Sequence, residues 1–317
     1  MRAKLSLYLG ELGERLREAR AFLLFPFRVP FTRNSDSIGG TATCVLLYGV
    51  PYADWNAPLA DGALWAGVSG VESVFRLPAL PLFSALIARL LGSAGGRRIV
   101  IPSKTSHARR RPRGWRALCP DEDSILVLGN KRRFAAYMAA NGLGDYCPAT
   151  YASIDDAVYP CVLKRLDRSA SWGVAVVHSR AELEAQLQSP VYRGYPYTLQ
   201  ALVPGSTEHA TYCVCKDGAI LWHCTFLTEV AHADTIKSED SVLRRWKIAT
   251  PDPIVRQIET VLAPLAYSGP CNLDYKLGDD GKIRVFEINP RLGGSLMMPQ
   301  YGEELRQALA CIVANAA

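Results

Sequence analysis

The stretch Phe286–Ser295, FEINPRLGGS, sets Glu287, Asn289 and Arg291 at alternate positions. Alternate side chains of an extended strand share a face, so a carboxylate, an amide and a guanidinium line up, with Phe286 and Ile288 expected on the opposite face. The run then stops at Pro290 and the pair Gly293 and Gly294. Upstream, NLDYKLGDDGKIRVFEIN reads as two strands joined by a GDDG turn, which brings Asp274 beside Glu287. Two facing carboxylates repel unless a cation lies between them. A hard divalent cation, Mg2+ or Mn2+, takes oxygen ligands and combines a few protein oxygens with those of a nucleotide phosphate. Asp274, Glu287 and Asn289 are therefore the candidate metal ligands. Just beyond them, the Arg291 guanidinium is suited to a phosphoryl or carboxylate group, and the amides of Gly293 and Gly294 with the Ser295 hydroxyl can cradle an anion. Taken alone, the same residues also suit a structural ion-pair network on an exposed hairpin.

Working back along the chain, the hairpin TYCVCKDGAILWHCTFL turns at Lys216-Asp217-Gly218, and PIVRQIETVLAPLAY has helical spacing. YPCVLKRL, WGVAVVHS and YTLQALVPG read as strands around a helix AELEAQLQ. SILVLG, residues 124–129, reads as a further strand feeding the helix KRRFAAYMAANG, with Gly142 as its stop. The first third alternates helices (residues 1–25 and 81–91) with strands (43–50 and 99–101), which favours a small α/β domain. No internal repeat or low-complexity segment is present.

The chain has 317 residues, 49% hydrophobic and 21% charged, enough for two or three domains with their own cores. Its basic N-terminus is interrupted by Glu11, Glu14, Arg15 and Arg17 too early for a signal peptide, and no run reaches the ~18 apolar residues of a membrane span. A cytoplasmic protein without a membrane partner is expected. Nine cysteines without a CxxC read as free, mostly buried thiols; a zinc site of Cys213, Cys215, His223 and Cys224 matches no zinc spacing. Lys104–Arg116 holds six of the 36 basic residues and no acid, yet no nucleic-acid module accompanies it. It reads as a solvated loop or a flap near an anionic substrate.

The string GPCNLDYKLGDDGKIRVFEINPRLGG resembles the C-terminal signature of the ATP-grasp superfamily, in which a G…D/E…G…ExNPR pattern carries the magnesium ligands of carboxylate–amine ligases. Further family landmarks follow in order upstream. GNKRRFAAYMAANGL is similar to the element whose lysine, here Lys131, reaches the nucleotide phosphates, although Asn130 stands where an acid is common. PCVLKRLDRSASWGVAVV resembles the strand and loop that cover the phosphates, with Lys164 as the second nucleotide lysine and Ser169, Ser171 and Gly173 in the cover. QALVPGSTEH resembles the hinge: Gln200 on the adenine side, the backbone of Ala201 and Leu202 at the adenine edge, and Glu208 on the ribose.

The resemblance implies an α+β, α/β chain of ATP-grasp fold, with two α+β lobes gripping ATP behind a small divergent α/β domain. The expected division is 1–122 for the substrate-side domain, 123–200 for the small lobe and 201–317 for the large lobe. It implies ATP and Mg2+ as cofactors, small-molecule carboxylate and amine substrates, and an acyl phosphate that an amine attacks to form an amide. Arg291 and Lys164 are the implied catalytic residues; Arg291, Gly293, Gly294 and Ser295 would bind substrate. A small-molecule kinase and a non-catalytic nucleotide-binding module are the alternatives, and a homodimer is left open. His209 as a base competes with a structural histidine, and Arg244, Arg245 and Lys247 as substrate contacts compete with a solvated face.

Overall fold

The computed structural model describes residues 28–29, 42–49, 53–77, 96–109, 111–167, 172–237 and 239–317. The helices expected over 1–25 and 81–91 lie outside them, as do Ser169, Ser171 and Arg110. Among the described residues three sheets form. The first contains β1 (Arg28–Val29), β2 (Thr43–Tyr48), β3 (Val71–Leu77) and β4 (Arg97–Pro102) in the order β1-β3-β2-β4, with β2 parallel to both β3 and β4. A parallel strand covered on both faces must be apolar on both. Accordingly Val45 and Leu47 enter one core while Leu46 and Tyr48 enter another. Between β2 and β3 run α1 (Ala53–Leu59) and α2 (Gly62–Ala66), and α3 (Thr105–Ala108) follows β4.

The segment 124–129, expected as a strand, is instead the end of a helix and its Gly129 cap. Helix α4 spans Glu122–Leu128, and the Asp121 carboxylate caps it by accepting the Ser124 N–H at 2.6 Å. Glu122 and Asp123 place negative charge in the first turn, where the helix dipole favours it, and this local signal outweighs the β-like run ILVL. Helix α5 (Lys131–Ala140) follows at once. Its cap is Asn130, whose side-chain oxygen accepts from the N–H groups of Arg132 (3.0 Å) and Arg133 (3.1 Å).

The second sheet, in the order β5-β8-β6-β7, contains β5 (Thr150–Tyr151), β6 (Cys161–Arg165), β7 (Val174–Val177) and β8 (Tyr197–Ala201), with all its pairs antiparallel. Helix α6 (Arg180–Gln188) covers one face through Leu183, which packs on Leu163, Val177 and Leu199. The third sheet is antiparallel throughout: β9 (Thr207–Lys216), β10 (Ala219–Val230), β11 (Val242–Ile248), β12 (Gly269–Leu277) and β13 (Ile283–Asn289), in the order β11-β10-β9-β12-β13. Asp217 (φ 51°) and Gly218 (φ 86°) turn β9 into β10 with the paired left-handed residues that a two-residue hairpin loop requires.

Alternation divides this third sheet between two cores. Cys213, Cys215, Cys271, Leu273 and Tyr275 face helices α5 and α7 (Asp252–Leu262), whose Phe134, Met138, Ile258 and Val261 complete that core. Ala210, Tyr212, Val214 and Phe226 face the other way, onto α8 (Gly302–Asn315) and the first sheet. The first sheet and the C-terminal helix therefore share a single core: Val45, Ile99 and Ile101 belong to the same cluster as Leu305, Leu309 and Ile312. Among the described residues no helix is long and apolar enough to cross a membrane.

Candidate functional site

At the end of the third sheet the apolar face gives way to polar side chains. Asp274 pairs in register with Glu287, and Asn272 with Asn289. Between Asp274 and Tyr275 the register shifts, because β13 carries an extra residue there. The bulge has a consequence opposite to simple alternation: Phe286, expected on the far face, lines the same cavity as Glu287 and Asn289. The Lys164 ammonium lies 5.3 Å from the Phe286 ring centroid.

A cavity of about 340 Å3 lies between the second and third sheets. It gathers Lys131, Lys164, Ala201, Leu202, Glu208, Asp274, Glu287, Asn289 and Arg291, nine of the fourteen site residues singled out from sequence. Ala201 and Leu202 border it at the crossing from β8 to β9. The Gln200 side chain reaches toward Thr150 Oγ1 (3.4 Å) and lines an adjoining cavity that shares Lys131, Lys164 and Phe286. Gly293, Gly294 and Ser295 lie beyond Arg291, in and next to the 3-10 turn Gly294–Met297.

The cap on α5 puts Lys131 at the first helical position, from which its ammonium donates to the Arg165 carbonyl at the end of β6 (3.1 Å). Burial lowers the Lys131 pKa, with Glu287 and Asp167 opposing. For Lys164 burial pushes the ammonium down to about 8, Glu287 opposing and Lys131 reinforcing. Two lysines beside Glu287 thus bring positive charge into one cavity, which suits an anion.

Sequence reading missed Lys237. From the segment after β10 its ammonium pairs with Glu208 and, at 3.1 Å, with Asp274. Burial alone would lower its pKa, but Asp274 and Glu208 outweigh burial and hold it above the usual lysine range. Burial raises the Glu208 carboxyl, with Lys237 opposing. A cation thus already stands between two carboxylates, as expected of acids placed so close. Lys276 was missed as well, although it stands two residues after Asp274 and alternation gave its face; it donates to the carbonyls of Val203 and Ala233, each at 3.2 Å, tying β12 to the β8–β9 crossing and to the segment after β10.

The acid pair fits a hard divalent cation. Asp274, Glu287 and Asn289 offer oxygen donors on register-paired strands, while among the described residues no three His, Cys, Asp or Glu side chains converge as a protein-only cage. Such a set is short of ligands unless phosphate oxygens complete it, as in nucleotide-bound Mg2+ sites. The zinc alternative falls: Cys213 and Cys215 lie in one core, Cys224 in the other, and His223 faces Thr250 at 3.2 Å.

Beyond the acids, the Arg291 guanidinium lies 5.7 Å from the ring centroid of Trp55, which α1 delivers from the first sheet's side. Gly293 is required for space rather than for backbone freedom, since a Cβ there would stand 2.2 Å from the Tyr212 ring. His209 stacks on Tyr275 (5.0 Å between centroids, 14° between planes), and burial pushes its pKa down to about 4. Half-buried and stacked on β12, it has the setting of a structural histidine. In the basic run, Arg109 pairs with Glu122 at 3.2 Å and Arg111 donates to Cys119 Sγ at 3.0 Å. Trp172, 74% exposed, stands at the cavity rim.

No protein-family model matches the sequence, and no curated protein sequence matches it. Solved structures do. D-alanine–D-alanine ligase from Bacillus anthracis, crystallised with ATP, superposes with a TM-score of 0.56 at 13% identity over 87% of this chain and 97% of its own. Phosphoribosylamine–glycine ligase from Thermotoga maritima gives 0.55 at 13% identity over 82% and 71%, and L-amino acid ligase from Bacillus licheniformis 0.53 at 16% over 88% and 75%. With two sheets enclosing the cavity and these neighbours spanning most of its length, the chain has the ATP-grasp fold.

Proposed function

We propose that this chain is an ATP-dependent ligase that joins a carboxylate to an amine through an acyl phosphate, releasing ADP and phosphate. One observation carries the reading: a single cavity brings together Lys131, Lys164, Glu208, Asp274, Glu287, Asn289 and Arg291, drawn from segments far apart in sequence. Adenine enters against Ala201 and Leu202, and Glu208 meets the ribose hydroxyls. Lys131 and Lys164 offset phosphate charge, an effect strengthened where water is excluded. Asp274, Glu287 and Asn289 would hold Mg2+, which supplies charge neutralisation on the phosphate oxygens when bound.

A free carboxylate is a poor electrophile toward an amine. In the proposed reaction its oxygen takes the terminal phosphoryl group as the bond to the ADP oxygen breaks. The amine nitrogen then attacks the acyl carbon, the C–N bond forms, phosphate leaves with the C–O bonding pair, and the nitrogen loses a proton. Arg291 stabilises the acyl phosphate and the charge on its tetrahedral successor. Gly293, Gly294 and Ser295 hold a substrate carboxylate. The divisions 1–122, 123–200 and 201–317 accompany this reading as substrate-side domain, small lobe and large lobe, in a cytoplasmic enzyme.

The test combines purified protein, ATP, Mg2+ and pooled amino acids and small carboxylic acids, with ADP release and product masses read together. A product of mass acid plus amine minus water is expected. ADP with only a phosphorylated product would replace the ligase by a kinase, and nucleotide binding without turnover by any pool would count for a binding module.

A further inference from the structure

Three basic side chains on β11 differ in their company. Arg244 pairs with Glu229 across the β10–β11 ladder and lies over Trp246, and Lys247 pairs with Glu304 at 2.6 Å. Arg245 is held by neutral groups: its Nε donates to Thr228 Oγ1 (3.2 Å), its Nη1 to Ser295 Oγ (3.2 Å), and Nη1 also lies 3.8 Å from Met298 Sδ. Among the described residues no carboxylate pairs with it. Alternation puts Arg245 and Lys247 on the same face of β11; one charge there is neutralised and the other is not.

A half-buried guanidinium fixed by two hydroxyls has its geometry settled and its charge unanswered, which is the arrangement of an anion site rather than of a structural ion pair. Arg291 shows the same pattern, with the Leu292 carbonyl (2.9 Å) and the Trp55 ring as its contacts and no carboxylate among the described residues. The loop Gly293–Ser295 runs from one guanidinium to the other. The Tyr212 ring packs against this loop at Gly293, with its phenol beside Ser295.

We propose that Arg245, with Ser295, holds a carboxylate of the substrate pair that does not react, and so restricts the enzyme to substrates bearing a free carboxylate besides the activated one. That carboxylate belongs either to an amino-acid acceptor or to a dicarboxylic donor. The ligand's status as substrate rests on the ligase reading; the anion site rests on Arg245 and its partners alone.

Binding tests the proposal independently of turnover. In the presence of MgADP, glutarate is compared with its dimethyl ester and L-alanine with L-alaninamide, by calorimetry on the wild type, Arg245→Gln and Arg245→Lys. Loss of a charge-assisted pair weakens binding roughly ten- to a hundredfold. The wild type is therefore expected to prefer at least one free acid over its capped form by that factor, and Arg245→Gln to lose the preference. Arg245→Lys, which keeps the charge but not the paired donors, falls between and stands in if the Gln variant does not fold. A preference for glutarate alone assigns the carboxylate to the donor, and one for alanine alone to the acceptor. Equal binding of free and capped forms, no binding of either acid, or an undiminished preference in Arg245→Gln overturns the proposal. If ADP does not bind while an acid is still discriminated, the ligase reading falls and the carboxylate site stands.

Discussion

On the β10–β11 hairpin, Glu229 and Arg244 are register partners and bond to each other side chain to side chain. On the β12–β13 hairpin of the same sheet the register partners are Asp274 and Glu287, two acids. Here the first hairpin neutralises a carboxylate with its own register partner. The second leaves that to distant segments: Lys237 from beyond β10, and Lys131 and Lys164 from α5 and the second sheet. Charge satisfied by a register partner stabilises a strand pair, whereas the facing acids of the second hairpin draw cations from several segments into one cavity.

That contrast can be broken most forcefully at Glu287. Glu287→Gln is expected to cut ATP turnover by roughly two to three orders of magnitude while removing a repulsion, so the fold is retained. ADP release and thermal denaturation, measured on one preparation, check both halves. A variant that loses stability along with turnover would make the acid pair structural after all.

Lys237→Met removes the ammonium between Glu208 and Asp274, and should destabilise the protein by about 1–3 kcal/mol in magnesium-free urea titrations. Millimolar Mg2+ should recover part of the loss, because a second cation can take the vacated position. A loss indifferent to Mg2+ would count against these acids as a metal site.

The next effect is one of pH. Burial holds the Lys164 pKa at about 8, below the unfolded value near 10.4, so between those limits the unfolded chain binds more protons and this group makes the free protein more stable as pH rises. Nucleotide phosphates prefer the charged lysine, so affinity should fall as pH rises past about 8. Calorimetric titration with ADP on the wild type and Lys164→Met checks the sign, since the variant should lose that slope.

Glu229→Gln, at the locally paired position of the first hairpin, should change stability by less than about 1 kcal/mol and leave turnover within twofold. A larger effect on turnover would erase the distinction between the two hairpins.

How much of this was legible follows the range of the interactions. Asp274, Glu287, Asn289 and Arg291 were readable because one hairpin and a period of two place them. Phe286 was not, because a bulge inserts a residue without any composition signal and reverses one position of the alternation. Lys237 was not, because a loop lysine has no periodicity and gains meaning only when a distant strand arrives beside it. The strand expected at 124–129 was a misjudged local competition: the acids at 121–123 announced a helix start, and a β-like apolar run was given more weight. Tyr212 against Gly293 and Trp55 against Arg291 join segments far apart in sequence, to which no single segment gives access.

Of the six tryptophans, Trp55, Trp65 and Trp115 are buried and Trp222 and Trp246 partly covered, whereas Trp172 is 74% exposed at the rim of the cavity. The emission of this protein should accordingly contain one red-shifted, acrylamide-accessible component from a single indole, set against a blue and shielded background. The molecule carries its own optical probe, positioned where an arriving ligand would change its colour.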